Sequence, residues 1–107
     1  MGKFSRDKGA RIERGLVKLH TEAGIPCERV PLSGAAGGSF KGDLRIGNNK
    51  NIEAEVKGRA NGAGFVTIEK WLGDNHLLFL HRDRTTPLVV MPWAIYERLM
   101  REHVDNE

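Results

Sequence analysis

Two short runs constrain this chain more than any other feature. Asp43-Leu44-Arg45-Ile46 and Ile52-Glu53-Ala54-Glu55-Val56-Lys57 alternate apolar and charged residues with period two, the mark of half-buried strands. Gly47-Asn48-Asn49-Lys50-Asn51 between them is turn chemistry, so the pair predicts a β-hairpin. Centring it on Asn49 opposes 44 to 54, 45 to 53 and 46 to 52, and carries the register on to 43 against 55. Leu44, Ile46, Ile52, Ala54 and Val56 then share one face, while Asp43, Arg45, Glu53, Glu55 and Lys57 share the other. Arg45 can pair with Glu53 across the ladder. Asp43 is left opposite Glu55, two carboxylates with β-carbons about 5 Å apart, which repel unless a cation joins them. Lys57 points the same way as Glu55. Two converging carboxylates and one ammonium suit a divalent metal and a phosphate ester, although the same residues can simply form a solvated strand face.

The 107 residues predict a single domain, 1–107, with one modest core. With 39% hydrophobic and 29% charged residues, the chain reads as folded and globular rather than disordered. No apolar run approaches the ~18 residues of a membrane span, and the first residues lack a hydrophobic signal core. Cys27 is the single cysteine, with no disulfide partner in the chain and no zinc-ligand spacing around it. The expectation is a non-membrane protein of a reducing, cytoplasmic setting. The net charge of +3 is unevenly spread. Residues 1–18 hold six basic and two acidic residues, and the last eleven hold two basic and four acidic. A basic end with a pI near 9.3 fits a polyanion binder, as it fits many small cytosolic proteins.

The coarse element order is helix, three strands, short helix, two strands, helix. A first helix, capped by Ser5 or Asp7, runs to about Ala23 with Ile12, Leu16, Leu19 and Ala23 as its apolar stripe; Gly24 and Pro26 stop it. Residues 26–32 predict a short strand with proline at each end. Residues 65–72 predict a two-turn helix. The nearly all-apolar 76–80 reads as a buried strand, residues 87–91 as another, and Pro92 opens a last helix from Trp93 to about His103.

Glycine-rich loops flank the charged strand face. Residues 33–42 hold four glycines in ten and lead into Asp43, and residues 58–64 leave from Lys57. The first is not a P-loop, since no Gly-Lys-Ser/Thr follows it. With Lys41 and Arg59 on them, the loops can close around a phosphate chain, or serve merely as linkers. The four histidines show no paired metal spacing. Trp71 and Trp93 read as core or interface anchors rather than base-stacking platforms. His81-Arg82-Asp83-Arg84 reads as a solvated turn.

Asp followed by Glu-x-Lys on adjacent strands, within this element order, resembles the PD-(D/E)XK nuclease superfamily. More narrowly, residues 8–17 look like the opening helix of the archaeal-type Holliday junction resolvases, and Val30-Pro31-Leu32-Ser33-Gly34 resembles the strand and Ser-Gly turn that follow it. Glu53-Ala54-Glu55-Val56-Lys57-Gly58-Arg59 is similar to that family's third strand, and Val66-Thr67-Ile68-Glu69-Lys70 stands where a Glu-Gln helix start is usual. Two departures stand out: Gly42 replaces the proline before the aspartate, and Lys70 replaces the glutamine.

The resemblance implies an α/β fold with a restriction-endonuclease-like core (αβββαβ), a mixed central sheet flanked by helices. It implies that Asp43 and Glu55, with the Val56 carbonyl and Glu13, hold Mg²⁺ or Mn²⁺. Lys57 would orient the attacking water or offset charge on the phosphate, and Ser33 would bond near the scissile phosphate. Lys3, Arg6, Lys8, Arg11, Ser33, Lys41 and Arg59 are the DNA-contact residues expected. The reading is a metal-dependent DNA endonuclease, a Holliday junction resolvase making paired nicks as a homodimer. The apolar surplus of 76–80 and 87–93, with Trp71, offers a face for the second copy. Alternatives are a same-fold nuclease of duplex, flap or single-stranded DNA, and a catalytically silent DNA-binding protein of nuclease fold. An unrelated basic RNA-binding module is a more distant one.

Overall fold

The computed structural model describes residues 3–30 and 42–107, with the side chains of the first helix described from Lys8 onward. The elements follow in the order α1 (Lys3–Glu22), β1 (Cys27–Arg29), β2 (Leu44–Ile46), β3 (Ile52–Ala54), α2 (Phe65–Leu72), β4 (Leu78–Leu80), β5 (Leu88–Val90) and α3 (Trp93–Asp105). The class is α/β. The backbone divides into two compact units, Met1–Gly58 with Met100–Glu107, and Arg59–Leu99.

In the first unit β1, β2 and β3 form an antiparallel sheet with β2 in the middle. The hairpin register matches the predicted one at Leu44 opposite Ala54, Arg45 opposite Glu53 and Ile46 opposite Ile52, and the ladder stops short of the expected 43/55 pair. The connecting turn closes through Lys50 N–H to the Gly47 carbonyl at 3.0 Å, with both residues at positive φ. Asn48 then donates to the Val104 carbonyl at 3.0 Å, tying the turn to the last turn of α3. Ile25, Leu44 and Ile46 are the buried core, covered by Leu16, Val17 and Ala23 from α1 and by Met100 and Val104 from α3.

Helix α1 buries a slightly different stripe from the expected one. Leu19 is exposed, while Leu16, Val17, His20 and Ala23 face inward, a helical i, i+1, i+4, i+7 face. Burial of His20 is tolerated because its Nδ1–H donates to the Leu16 carbonyl at 2.6 Å. The helix ends as its sequence dictates. Gly24 takes φ 80°, its N–H meets Thr21 O at 3.0 Å, and Ile25 N–H meets His20 O at 2.8 Å, a Schellman closure that drops Ile25 into the core.

In the second unit α2 spans the residues expected of it. β4 and β5 pair antiparallel, Leu78 with Val90, Phe79 with Val89 and Leu80 with Leu88. Two expectations change here. The described strands form two separate sheets, both antiparallel, instead of one mixed sheet. The partner nearest in sequence wins, since closing the short 81–87 connection loses little chain entropy. Nor are these strands buried: Phe79 is 61% and Leu88 67% exposed, and Trp71 of α2 is 60% exposed. A continuous apolar run becomes a buried strand only when both its faces are covered.

Candidate active site

Asp43 stands one residue before β2, and Glu55, Val56 and Lys57 follow directly after β3, so the sheet register alone gathers them at one end of the hairpin. There the ladder changes step. Asp43 N–H donates to the Ala54 carbonyl at 2.7 Å, and Asp43 Oδ2 accepts from Val56 N–H at 2.7 Å. The half-buried carboxylate thus clamps the two strand ends together. Gly42 makes this possible. It sits at φ 71°, where a β-carbon would lie 2.6 Å from the Ala54 carbonyl oxygen. Proline, with φ fixed near −65°, cannot adopt that conformation. The departure from the family pattern at position 42 therefore has a backbone reason in this chain.

Glu55 and Lys57 point the same way, as alternate residues of an extended segment must, and pair at 3.2 Å in the open. With Lys57 70% and Glu55 58% exposed, the pair contributes little to stability, and both groups stay accessible to solvent and ligand. A β-carbon at Gly58, next in the chain, would meet the end of the Ile12 side chain of α1.

Glu13 is paired with a residue of β1. Its Oε1 accepts from Arg29 Nε at 3.0 Å, and both side chains are largely covered. Arg29 is opposite Leu44 and in phase with Cys27, so it lies on the side of the sheet that faces α1. Reading the sequence missed Arg29. The signal was its phase: a charged residue alternating with Glu28 on a strand this short must put one of the two inward, where it needs a partner.

Among the described residues no group of three or more His, Cys, Asp and Glu stands close enough to hold a metal ion. The structure brings Asp43 to Val56 and Glu55 to Lys57, and ties Glu13 to Arg29. The donor set still fits Mg²⁺ or Mn²⁺ in the mode that uses one or two carboxylates and several waters. Asp43 Oδ2 is engaged by Val56 N–H while Oδ1 has no hydrogen bond among the described residues, and Glu55 is open. The contact to Val56 runs through its amide; its carbonyl is the atom the resemblance assigns to the metal.

Of the residues expected to contact DNA, Arg11 and Arg59 are exposed and Lys8 is half-buried. Ser33 and Lys41 lie outside the described residues, as do the side chains of Lys3 and Arg6. Cys27 is a half-buried free thiol. Burial, helped by the charge of Glu28 and opposed by Lys50, pushes its thiol up from 9.0 to about 11. Among the described residues no helix is long and apolar enough to cross a membrane. Comparison with protein-family models, curated proteins and solved structures finds no match to this chain.

Proposed function

We propose that this protein is a metal-dependent DNA endonuclease of the PD-(D/E)XK type, specifically a Holliday junction resolvase that nicks four-way junctions by water attack on the phosphodiester. The observation that carries the reading is the end of the β2–β3 hairpin, where Asp43, locked by the Val56 amide, shares a strand end with the Glu55–Lys57 pair. The element order of helix, three strands, helix, strand supports a restriction-endonuclease-like core.

Asp43 and Glu55, with the Val56 carbonyl, would hold the cation. Bound Mg²⁺ or Mn²⁺ supplies polarisation of the phosphate and a lower pKa for the attacking water. Lys57 would offset charge on the phosphate oxygens. Glu13, paired with Arg29, would complete the metal site from α1 or hold its outer water shell. Lys3, Arg6, Lys8, Arg11, Ser33, Lys41 and Arg59 contact the DNA backbone, so affinity falls with rising salt. Two symmetric nicks need two sites, which a homodimer supplies. The setting is intracellular and reducing.

The test is cleavage of matched four-way, flap and plain duplex substrates with Mg²⁺, by wild type, Asp43→Asn and Glu55→Gln. Asparagine retains a side-chain carbonyl for the Val56 amide, so the Asp43 variant keeps the clamp and loses the charge. Each variant should lose several kcal/mol of transition-state stabilisation, about a thousandfold in rate, while binding DNA without metal at least as well as wild type. Wild-type cleavage by either variant defeats the site assignment. Equal cutting of all three substrates, or a strict monomer on and off DNA, defeats junction resolution in favour of a duplex or flap nuclease.

A further inference from the structure

The second unit carries a groove of about 710 Å³ that the site above does not use. Trp71 of α2, Phe79 and Leu88 of the β4–β5 hairpin, and His81, Arg82 and Thr86 of the connection line it. A volume of this size falls in the range of ordinary ligand clefts. Its two aromatic side chains are the unusual part. Trp71 and Phe79 are each about 60% exposed, in a small protein that could have covered them, and they line the same groove.

We propose that this groove is a stacking site for unpaired nucleobases of single-stranded DNA. Exposed aromatic faces bind any base by stacking, but only where the base has left its duplex neighbours. Arg82 brings a guanidinium to the groove as a counter-charge for the phosphate linking two bases, and His81 and Thr86 bring hydrogen-bonding groups. No carboxylate is among the described residues that line it; Asp83 lies in the same turn between Arg82 and Arg84 but outside the lining. Arg82, with no carboxylate opposing it in the lining, gives the mainly apolar groove a positive charge that suits a phosphate-bearing strand. The ligand class is therefore a nucleotide strand with accessible bases. The proposal rests on the nucleic-acid part of the function proposed above and does not require cleavage.

The test uses the whole chain in EDTA, so that failure of catalysis and failure of stacking are read separately. In Trp93→Phe protein, Trp71 is the single tryptophan, and titration with oligothymidylate should quench its emission, while a duplex of equal length should not. Trp71→Ala and Phe79→Ala should each weaken oligothymidylate binding about tenfold and leave duplex affinity within about twofold, and Trp71→Phe should restore most of the loss. Unchanged Trp71 emission at saturating oligothymidylate overturns the proposal, as does an equal loss on single strand and duplex. A dimer that dissociates in Trp71→Ala, by light scattering, with oligothymidylate affinity unchanged, assigns the face to self-association and also overturns it. Metal-dependent cleavage that fails while quenching persists would overturn the nuclease reading and leave this one standing.

Discussion

The two β-hairpins of this protein invite comparison, because the less hydrophobic one is the better buried. β2–β3 mixes charge with every second residue, yet Leu44 and Ile46 are 2% and 4% exposed. β4–β5 is apolar along almost its whole length, yet Phe79, Leu88 and Val89 face outward. Alternation states which face is to be covered, and α1 and α3 cover it with Leu16, Val17, Met100 and Val104. A continuous run states only that cover is wanted. Neither α2 nor α3 buries a residue fully, so β4–β5 keeps an open face. Hydrophobicity measures demand for burial, and the tertiary neighbours decide supply.

The largest expected effect sharpens this contrast directly. Leu44→Ala should destabilise the protein by about 2–5 kcal/mol, since it opens a cavity in a covered core, whereas Phe79→Ala should change stability by less than about 1 kcal/mol. Denaturant unfolding of both variants decides it, and a Phe79 variant as unstable as the Leu44 one breaks the comparison.

Glycines in the two regions give a second, smaller contrast. Gly42 and Gly64 both have positive φ, but only Gly42 faces a neighbouring atom, the Ala54 carbonyl, while Gly64 opens on empty space. Gly42→Ala should therefore lose about 2–4 kcal/mol, backbone strain plus collision, and Gly64→Ala about 1 kcal/mol from strain alone. Thermal melts of the pair give the difference. Because Gly42 sets the aspartate beside it, its variant should also lose the proposed cleavage at temperatures where it remains folded.

Ion pairs rank below these. Arg29→Ala strands Glu13, whose side chain is only 14% exposed, and should lose about 1–2 kcal/mol. Lys57→Ala breaks an exposed pair and should stay within about 0.5 kcal/mol in stability while abolishing its contribution to cleavage. If both variants destabilise equally, Lys57 is a structural residue and its assignment to the chemistry fails.

The smallest effect is a pH dependence. The folded state holds the Cys27 proton up to about 11, against 9.0 without burial. Its folded pKa is raised, so the stability it contributes is complete below pH 9 and is lost as pH rises through about 11. Cys27→Ala should flatten that alkaline decline in an unfolding series, and iodoacetamide should label wild type slowly at neutral pH unless it is unfolded.

Much of the geometry at the end of the central hairpin was legible in the sequence. Period-two alternation around a five-residue turn gave the 44/54, 45/53 and 46/52 register, because a one-residue slip would turn every apolar side chain to solvent. From that register follow the shared strand end of Asp43 and Glu55 and the shared direction of Glu55 and Lys57. The helix limits near Gly24 and at Phe65–Leu72 were equally local, set by glycine and proline chemistry. Other features depend on residues far apart in sequence, and no local pattern encodes them. Asp43 binds the Val56 amide because the ladder shifts at Gly42. Glu13 pairs with Arg29 because α1 lies against the inward phase of β1. His20 takes the buried position in place of Leu19 because the helix carbonyl of Leu16 satisfies it. The sequence by itself determined which residues could meet across the central hairpin, since strand geometry has a fixed period. Only the tertiary structure decided which apolar surfaces are covered and which carboxylate finds which partner, because burial and pairing belong to neighbours that the chain brings together only by folding.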